Sequence, residues 1–212
     1  MNPVVLSIQV GMPKSYVHTG RADAGETVWT SGIFKAEVEG PVLISQNGLQ
    51  GDGQADLKHH GGPDRVLLIY SKSHYPHFEE FIGKRIPNGG FGENLTIDTF
   101  LEEEVCLGDT YKIGEAIIEI SQPRIPCFKL GRRLEAPEIV NEVFATGHGG
   151  VYARVLQAGN IAAGNTIARL SRPNPDWTVM RATQIFLTKS HPDQTELGKL
   201  PQLSELWRDR FI

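Results

Sequence analysis

Residues 57–70 read LKHHGGPDRVLLIY and place a glycine-rich cationic loop directly before an uninterrupted apolar run. The run from Val66 to Tyr70 lacks the polar alternation of a half-exposed strand, and such runs are typical of strands buried on both faces. We therefore expect a central β-strand here, with the cationic loop at its amino end.

Shorter β patterns lie on both sides of this central run. We expect strands at 4–10, 33–38, 42–45, 111–113, 116–120, 151–156 and 166–170, with turns at Gly40-Pro41, Gly114-Glu115, Gly159-Asn160 and Gly164-Asn165. Helical patterns occur at 73–81 and 137–145. The many short strands and the 23 glycines predict a mainly β fold, a barrel or a folded-over sheet, with a few peripheral helices.

The composition changes after Leu170, where the segment Ser171-Arg172-Pro173-Asn174-Pro175 has the character of a linker. Beyond it we predict three helices: one that begins at Trp177 with Asp176 as its cap, then 193–200 and 203–211. A segment of this size is too small to fold well alone. We therefore predict a β domain over 1–172 and a three-helix tail over 173–212, packed on the β domain or on a second subunit in a homodimer.

The bulk composition argues against several classes of protein. A formal net charge of −4 gives no general attraction to nucleic acid. No stretch is long and apolar enough to span a bilayer, and Ser7 and Gln9 interrupt the first apolar run, unlike a signal peptide. Two cysteines are too few for a disulfide scaffold. We expect a cytoplasmic protein that binds neither nucleic acid nor membrane.

Common nucleotide and metal motifs are missing. The sequence has no P-loop, no Gly-x-Gly-x-x-Gly after a strand, no Gly-x-Ser-x-Gly elbow and no Cys-x-x-Cys. The chain therefore carries no flavin or iron–sulfur signature of its own.

The loop before the central run has the composition of an anion site. Gly61 and Gly62 allow positive φ and close approach of the backbone to a ligand. Cationic or hydrogen-bonding side chains cluster around them: Lys58, His59, His60 and Arg65. Together they predict a grip on an anion such as phosphate. A strained turn with solvated charges explains the same residues equally well.

A second glycine-rich segment runs from Gly89 to Thr96 and contains Asn94. Three glycines in four residues suggest that the backbone approaches a ligand. The Asn94 amide, with both donor and acceptor atoms, is suited to an amide or amino edge. Taken alone, the segment is more typical of a glycine-rich β-turn.

The third segment, Gln122-Pro123-Arg124-Ile125-Pro126-Cys127, follows a predicted strand. Its two prolines stiffen the chain and fix how Cys127 is presented. Arg124 and Lys129 are close in sequence and favour a thiolate, which is a soft metal ligand. Cys106, between Val105 and Leu107, reads instead as a buried apolar residue. The residues also leave open a nucleophilic Cys127 with His60 or His148 as its base.

These segments, in this order, resemble the MOSC domain family. The matching set is Thr30 to Lys35, Gly51-Asp52, His60 to Arg65, Gly92 to Leu95 and Gln122 to Cys127. The three-helix tail makes the chain similar to the bacterial YiiM-like subgroup. Lys58-His59 is more cationic than we expect for the family at this place.

The resemblance implies a MOSC-type β-barrel and a molybdenum cofactor (Mo-molybdopterin) with Cys127 as the protein ligand of the metal. It implies reduction of N-hydroxylated compounds, such as 6-hydroxylaminopurine, to amines, with electrons from a separate flavin-type reductase. In this hypothesis Lys35, His60 and Arg65 hold the cofactor phosphate, and Lys58, Gly61 and Gly62 complete that cradle. Asn94 and Arg124 then orient the pterin or the substrate.

Three other functions remain open from the residues. A cofactor carrier needs the same cradle as an enzyme, and a thiol enzyme needs Cys127 but no metal. A scaffold whose helical tail binds a partner is the third.

Overall fold

A computed structural model describes residues 2–17, 28–56 and 61–211 of the chain. Within these ranges β structure dominates, with thirteen strands. They are β1 (Val5–Val10), β2 (Lys14–Val17), β3 (Val28–Ser31), β4 (Ala36–Val38), β5 (Val42–Ser45), β6 (Gly48–Leu49), β7 (Leu67–Ser71), β8 (Leu95–Ile97), β9 (Thr110–Ile113), β10 (Ala116–Pro123), β11 (Val151–Gln157), β12 (Gly159–Ile161) and β13 (Ile167–Ser171). The expected strands are confirmed, although in the segment 33–38 only the last three residues form a strand, β4.

The largest sheet has eight strands in the order β13-β9-β10-β11-β7-β8-β1-β4. Its described pairings are antiparallel except for β7 with β8, which run parallel. Strand β7 lies between β11 and β8 and all five of its residues are buried. The uninterrupted apolar run therefore does form a central strand covered on both faces, as its pattern predicts.

Of the two predicted forms, a barrel or a folded-over sheet, a fully closed barrel is not found in the part of the chain that the structure describes. The sheet bends so that Val5 N donates to Asn165 O at 3.0 Å, next to an isolated bridge from Val4 to Thr166. The three-residue strand β4, however, remains at one edge and does not pair with β13 at the other. The fold is a mixed, bent sheet with two small sheets beside it, β12-β5-β6 and β2-β3.

The turn predicted at Gly159-Asn160 is wrong, because contacts with distant segments hold these residues in a strand. Gly159 and Asn160 lie in β12, which pairs with β5 so that Gly159 is opposite Ile44. The Glu115 carboxylate accepts hydrogen bonds from Asn160 N at 2.9 Å and from Asn160 Nδ2 at 3.0 Å. These long-range bonds keep the Gly159-Asn160 dipeptide in an extended conformation, although its composition is typical of turns. The predicted hairpin turn at Gly114 is confirmed between β9 and β10.

Among the described residues before the tail, three α-helices flank the sheet: α1 (Tyr75–Ile82), α2 (Phe128–Leu134) and α3 (Ile139–Thr146). The patterns at 73–81 and 137–145 predict α1 and α3, which end at the left-handed residues Gly83 and Gly147. The sequence pattern misses α2, because Gly131 weakens its helical signal. A Cβ at Gly131 would lie 2.8 Å from Pro137 Cα, so glycine permits the close packing there. No helix in the described ranges has the length and apolar character needed to cross a membrane.

The C-terminal segment contains α4 (Val179–Leu187), α5 (Gln194–Gly198) and α6 (Glu205–Phe211). The predicted cap Asp176 is wrong, because Thr178 caps α4 and its Oγ1 accepts from Arg181 N at 3.1 Å. Side chains such as Ile185 and Trp207 join the same apolar core as the sheet. The segment therefore packs on the sheet, and its division into a second domain after residue 172 stays a prediction.

Candidate functional site

An open cleft lies beside the carboxyl end of β10, and its interior has room for about 120 Å³ of water-sized spheres. Segments that are far apart in sequence meet at its walls, and they contribute Ser31 to Ile33, Lys35, Asp52 to Asp56, Arg65, Val66, Leu68, Phe91, Gly92, Asn94, Arg124, Ile125, Cys127, Lys129 and Tyr152. The fold thus brings together five of the predicted site residues: Lys35, Arg65, Asn94, Arg124 and Cys127.

Cys127 lies where the stiff segment after β10 turns into α2. Its backbone is extended, with φ −127° and ψ 174°, and its side chain does not cap the helix. The residue is half-buried and its sulfur is a free thiol. The chain therefore presents a soft donor atom to the cleft.

Arg124 is the most informative cation of the cleft. The residue is 6% exposed, and its Nη2 donates to Phe91 O at 3.2 Å. Its buried Nη1 has no hydrogen-bond partner among the residues that the structure describes. A buried guanidinium nitrogen without an acceptor is costly. The arrangement therefore fits a ligand that brings an acceptor atom into the cleft.

Lys35 reaches the cleft as one half of a buried ion pair. Its Nζ contacts Asp52 Oδ1, and both side chains are 8% exposed. Burial lowers the pKa of Lys35, and the neighbouring Asp52 carboxylate opposes that effect. Lys35 is thus available to an anion only alongside Asp52, so its predicted contact with phosphate stays a prediction.

Asn94 borders the cleft, but most of its amide is used inside the protein. Nδ2 donates to Asp52 Oδ2 at 2.8 Å and to Gln9 O at 3.3 Å, and Oδ1 accepts from Leu68 N at 3.0 Å. Both amide hydrogens and one acceptor position are therefore engaged. Asn94 holds the cleft wall together, and its predicted contact with a ligand stays a prediction.

Arg65 and the preceding glycine loop lie at another wall. Arg65 borders the cleft, and burial lowers the pKa of its guanidinium. Gly62 has the predicted positive φ, 100°, and its N–H donates to Gln54 Oε1 at 2.9 Å. Gln54 Nε2 in turn donates to Arg65 O at 2.9 Å, which fixes the turn.

The remaining loop residues do not reach this cleft in the part that the structure describes. Gly62 borders a neighbouring hollow with Gln46 and Asn47, and Gly61 is buried away from the cleft walls. The predicted cofactor contacts of Lys58 and His60 lie outside the described residues. They remain predictions.

Glu93 supports one wall of the cleft, and the sequence pattern missed it. The carboxylate is fully buried and accepts from Gly89 N at 2.9 Å, from Phe91 N at 3.0 Å and from the Tyr75 hydroxyl. It therefore shapes the glycine-rich loop whose Phe91 carbonyl accepts from Arg124. A charged residue directly after three glycines was the signal available in the sequence.

Tyr152 was also missed, because its place in an alternating strand gives no sign of function. Tyr152 is half-buried on β11 at the cleft wall, and desolvation raises the pKa of its phenol, with the charge of Arg124 acting in the opposite direction. The group is therefore a neutral hydrogen-bonding residue at neutral pH.

His148 lies elsewhere and does not border the cleft. Its Nε2 is 3.0 Å from Glu103 Oε1, and its ring stacks on His74 with centroids 4.0 Å apart. The structure therefore gives no support to His148 as a base for Cys127.

Gly92 makes the cleft wall sensitive to a single methyl group. Its φ is +82°, and a Cβ would lie 2.6 Å from Ile33 Cγ1. We expect Gly92→Ala to lower the free energy of unfolding by about 2–4 kcal/mol, from backbone strain and the clash together. Urea denaturation measures this loss.

The matched control is Gly83→Ala, because Gly83 also has positive φ, +69°, but open space around a Cβ. Only backbone strain applies there, and we expect a loss of about 1 kcal/mol. Equal losses for the two variants would contradict the close packing of Gly92 on Ile33.

With the cleft described, the class of protein is clear: the chain belongs to the MOSC domain family, whose signature matches residues 56–168. Among solved structures it is similar to YiiM from Geobacillus stearothermophilus, with a TM-score of 0.81 and 30% identity over 99% of this chain and 97% of that one. The YiiM-like subgroup is therefore the part of the family to which the chain is similar.

Two further relatives support this placement. The uncharacterized protein YflK of Bacillus subtilis (strain 168) is 36% identical over 214 residues, which cover 98% of this chain and 92% of that protein. A protein named "Reductase" from Gibberella moniliformis is 38% identical over 168 residues. That match covers 76% of this chain and 29% of the fungal protein.

Proposed function

We propose that this protein is a molybdenum-cofactor-dependent reductase that converts N-hydroxylated compounds, such as 6-hydroxylaminopurine, to amines. The observation that carries the proposal is the joint presence in one cleft of the Cys127 thiol and the buried Arg124, whose Nη1 has no partner among the described residues. MOSC domains are associated with molybdenum cofactor binding, and this chain has such a domain.

The residues present fit such a group. Cys127 would be the protein ligand of the metal, since thiolates bind thiophilic metals. Arg124 Nη1 would donate to an acceptor atom of the pterin or the substrate, which relieves its unpaired state. Lys35 and Arg65 would face the phosphate, with Lys58 and His60 completing the cradle, while Gly62 would hold the turn before Arg65 through its bond to Gln54. Asn94 would support the wall that carries them, through its bond to Asp52.

When bound, the cofactor would supply the two-electron redox chemistry, and the protein would position it and set its surroundings. The overall reaction breaks the N–O bond, takes up two electrons and two protons, and yields the amine and water. The electrons would come from a separate flavin-type reductase. A reducing, cytoplasmic compartment would keep the Cys127 thiol available.

The fungal relative named "Reductase" supports redox chemistry rather than storage of the cofactor. A carrier without turnover would share the cleft, so the experiment has to separate the two.

The test is purification of the full chain from cells that make the cofactor, followed by metal analysis and pterin fluorescence after oxidation. We expect about one molybdenum per chain and reduction of 6-hydroxylaminopurine with a low-potential dye as donor. Protein from cells grown with tungstate is the matched control and should lack this activity. Bound molybdenum without turnover would favour a carrier, and equal turnover in the tungstate sample would contradict a molybdenum enzyme.

A further inference from the structure

Residues 202–205, which join α5 to α6 and include the first residue of α6, contact the segments that carry three cleft residues. We call this stretch the C-terminal clamp. It touches the end of β10 just before Arg124, the turn at Asp64 just before Arg65, and Arg154, two residues after Tyr152. The three cleft residues lie far apart in sequence but share this one support.

The first contact is made by Ser204, which is 1% exposed. Its Oγ donates to Gln122 Oε1 at 2.6 Å and its N donates to Ser121 O at 3.1 Å. The single hydroxyl hydrogen of Ser121 can be donated to either of two carbonyl oxygens within reach of Oγ, Tyr152 O at 3.0 Å and Asp64 O. One residue of the clamp is therefore bonded to the strand end from which the Arg124–Cys127 segment leaves the sheet.

The second contact is made around Asp64. Its Oδ2 accepts from Glu205 N at 3.1 Å, and its Oδ1 is 2.8 Å from Arg154 Nε. Arg154 Nη2 also donates to Gln202 O at 2.9 Å. The carboxylate that precedes Arg65 is thus held jointly by the clamp and by β11.

The clamp itself is firmly anchored. Trp207 is buried, and its ring stacks on Phe186 of α4 with centroids 4.7 Å apart. Such packing fixes the start of α6 relative to the sheet. Movement of the clamp therefore requires opening of the core.

We propose that the C-terminal helices position the cleft residues through the C-terminal clamp. Ser204 is the positioning residue for the Arg124–Cys127 segment. Asp64, which is bonded to the clamp, fixes the position of the adjacent Arg65. The tail thus has a role in site geometry within one chain. The inference rests on the cleft being the functional site, as proposed above, but its test needs neither molybdenum nor turnover.

The test compares full-length variants by amide hydrogen exchange and by the rate at which Cys127 reacts with a thiol reagent. A Cys106→Ala background leaves Cys127 as the reacting thiol. Ser204→Ala removes the bond to Gln122 and the weaker one that Oγ accepts from Trp207 N at 3.4 Å. From the loss of the bond to Gln122 we expect exchange in residues 121–127 and 63–66, and the thiol rate, to rise by about fivefold, the weight of one ordinary hydrogen bond. Ser204→Thr keeps the hydroxyl and should restore the parent rates.

Thr178→Ala is the matched control, because it removes one side-chain hydrogen bond of the same segment at the cap of α4, away from the clamp. It should lower the melting temperature by a similar amount and leave exchange at 121–127 and the Cys127 rate unchanged. Unchanged rates in Ser204→Ala, or equal changes in Thr178→Ala, would overturn the proposal.

A second variant covers the case in which Ser204→Ala does not fold. Glu205 is the first residue of α6, where proline is tolerated, so Glu205→Pro removes the N–H that bonds Asp64 and keeps the helix. It should raise exchange at 63–66 more than in the rest of the sheet. A uniform rise, or none, would count against the clamp.

Discussion

Replacement of Cys127 by serine is expected to lower both the molybdenum content and the turnover of the proposed reductase by about 100-fold or more. A serine hydroxyl is a harder and far weaker ligand than a thiolate for a thiophilic metal. The side chain does not cap α2, so the fold should not depend on it. Metal analysis and the 6-hydroxylaminopurine assay measure the loss, and an unchanged melting temperature separates it from unfolding.

The matched variant is Cys106→Ser. Cys106 is 1% exposed, and its Sγ donates to Pro175 O at 3.4 Å, a bond that a hydroxyl can replace. We expect nearly normal molybdenum content and turnover. Undiminished turnover in Cys127→Ser would refute the role of Cys127 as metal ligand. A comparable loss in Cys106→Ser would show that the proposal assigns this role to the wrong cysteine.

Removal of the Asp52 carboxylate is expected to have the largest effect on stability. Asp52→Ala leaves the Lys35 ammonium buried without its partner. It also removes the acceptor for Gly11 N and for Asn94 Nδ2, which donate to Asp52 at 2.7 and 2.8 Å. Breaking a buried pair from one side costs about 3–5 kcal/mol. The melting temperature should fall by about 6–20 °C, measured by calorimetry.

The double variant Asp52→Ala/Lys35→Met isolates the charge from the hydrogen bonds. It leaves no unpaired ammonium, so part of the lost stability should return, while the bonds to Gly11 and Asn94 stay broken. A double variant less stable than Asp52→Ala would show that Lys35 stabilises the fold without its carboxylate, contrary to the pairing.

Local pattern alone was enough to predict several parts of this fold. The apolar run before Tyr70 predicted the central strand, and Gly114 predicted the turn between β9 and β10. Both depend on neighbours in sequence, through side-chain period and positive φ. The sequence pattern missed helix α2 because Gly131 weakens its helical signal, and it missed strand β12 because long-range bonds to Glu115 override the turn preference of Gly159-Asn160.

The candidate site divides in the same way. Cys127 and Arg124 stood out because prolines, cations and a thiol lie within a few residues of one another. The partners that shape the cleft could not be predicted, since Asp52 and Asn94 are 42 residues apart and Ser204 and Gln122 are 82 apart. Whether a buried carboxylate braces a wall or faces a ligand depends on such pairings.

The sequence by itself therefore determined the central strand, the order of the motifs and the cysteine offered to a ligand, because each follows from residues close along the chain. The tertiary structure decided that the sheet stays open at β4, that Asn94 is engaged by Asp52, and that residues 202–205 support the cleft. These outcomes rest on burial and hydrogen bonds between distant segments, and such contacts exist only once the chain has folded.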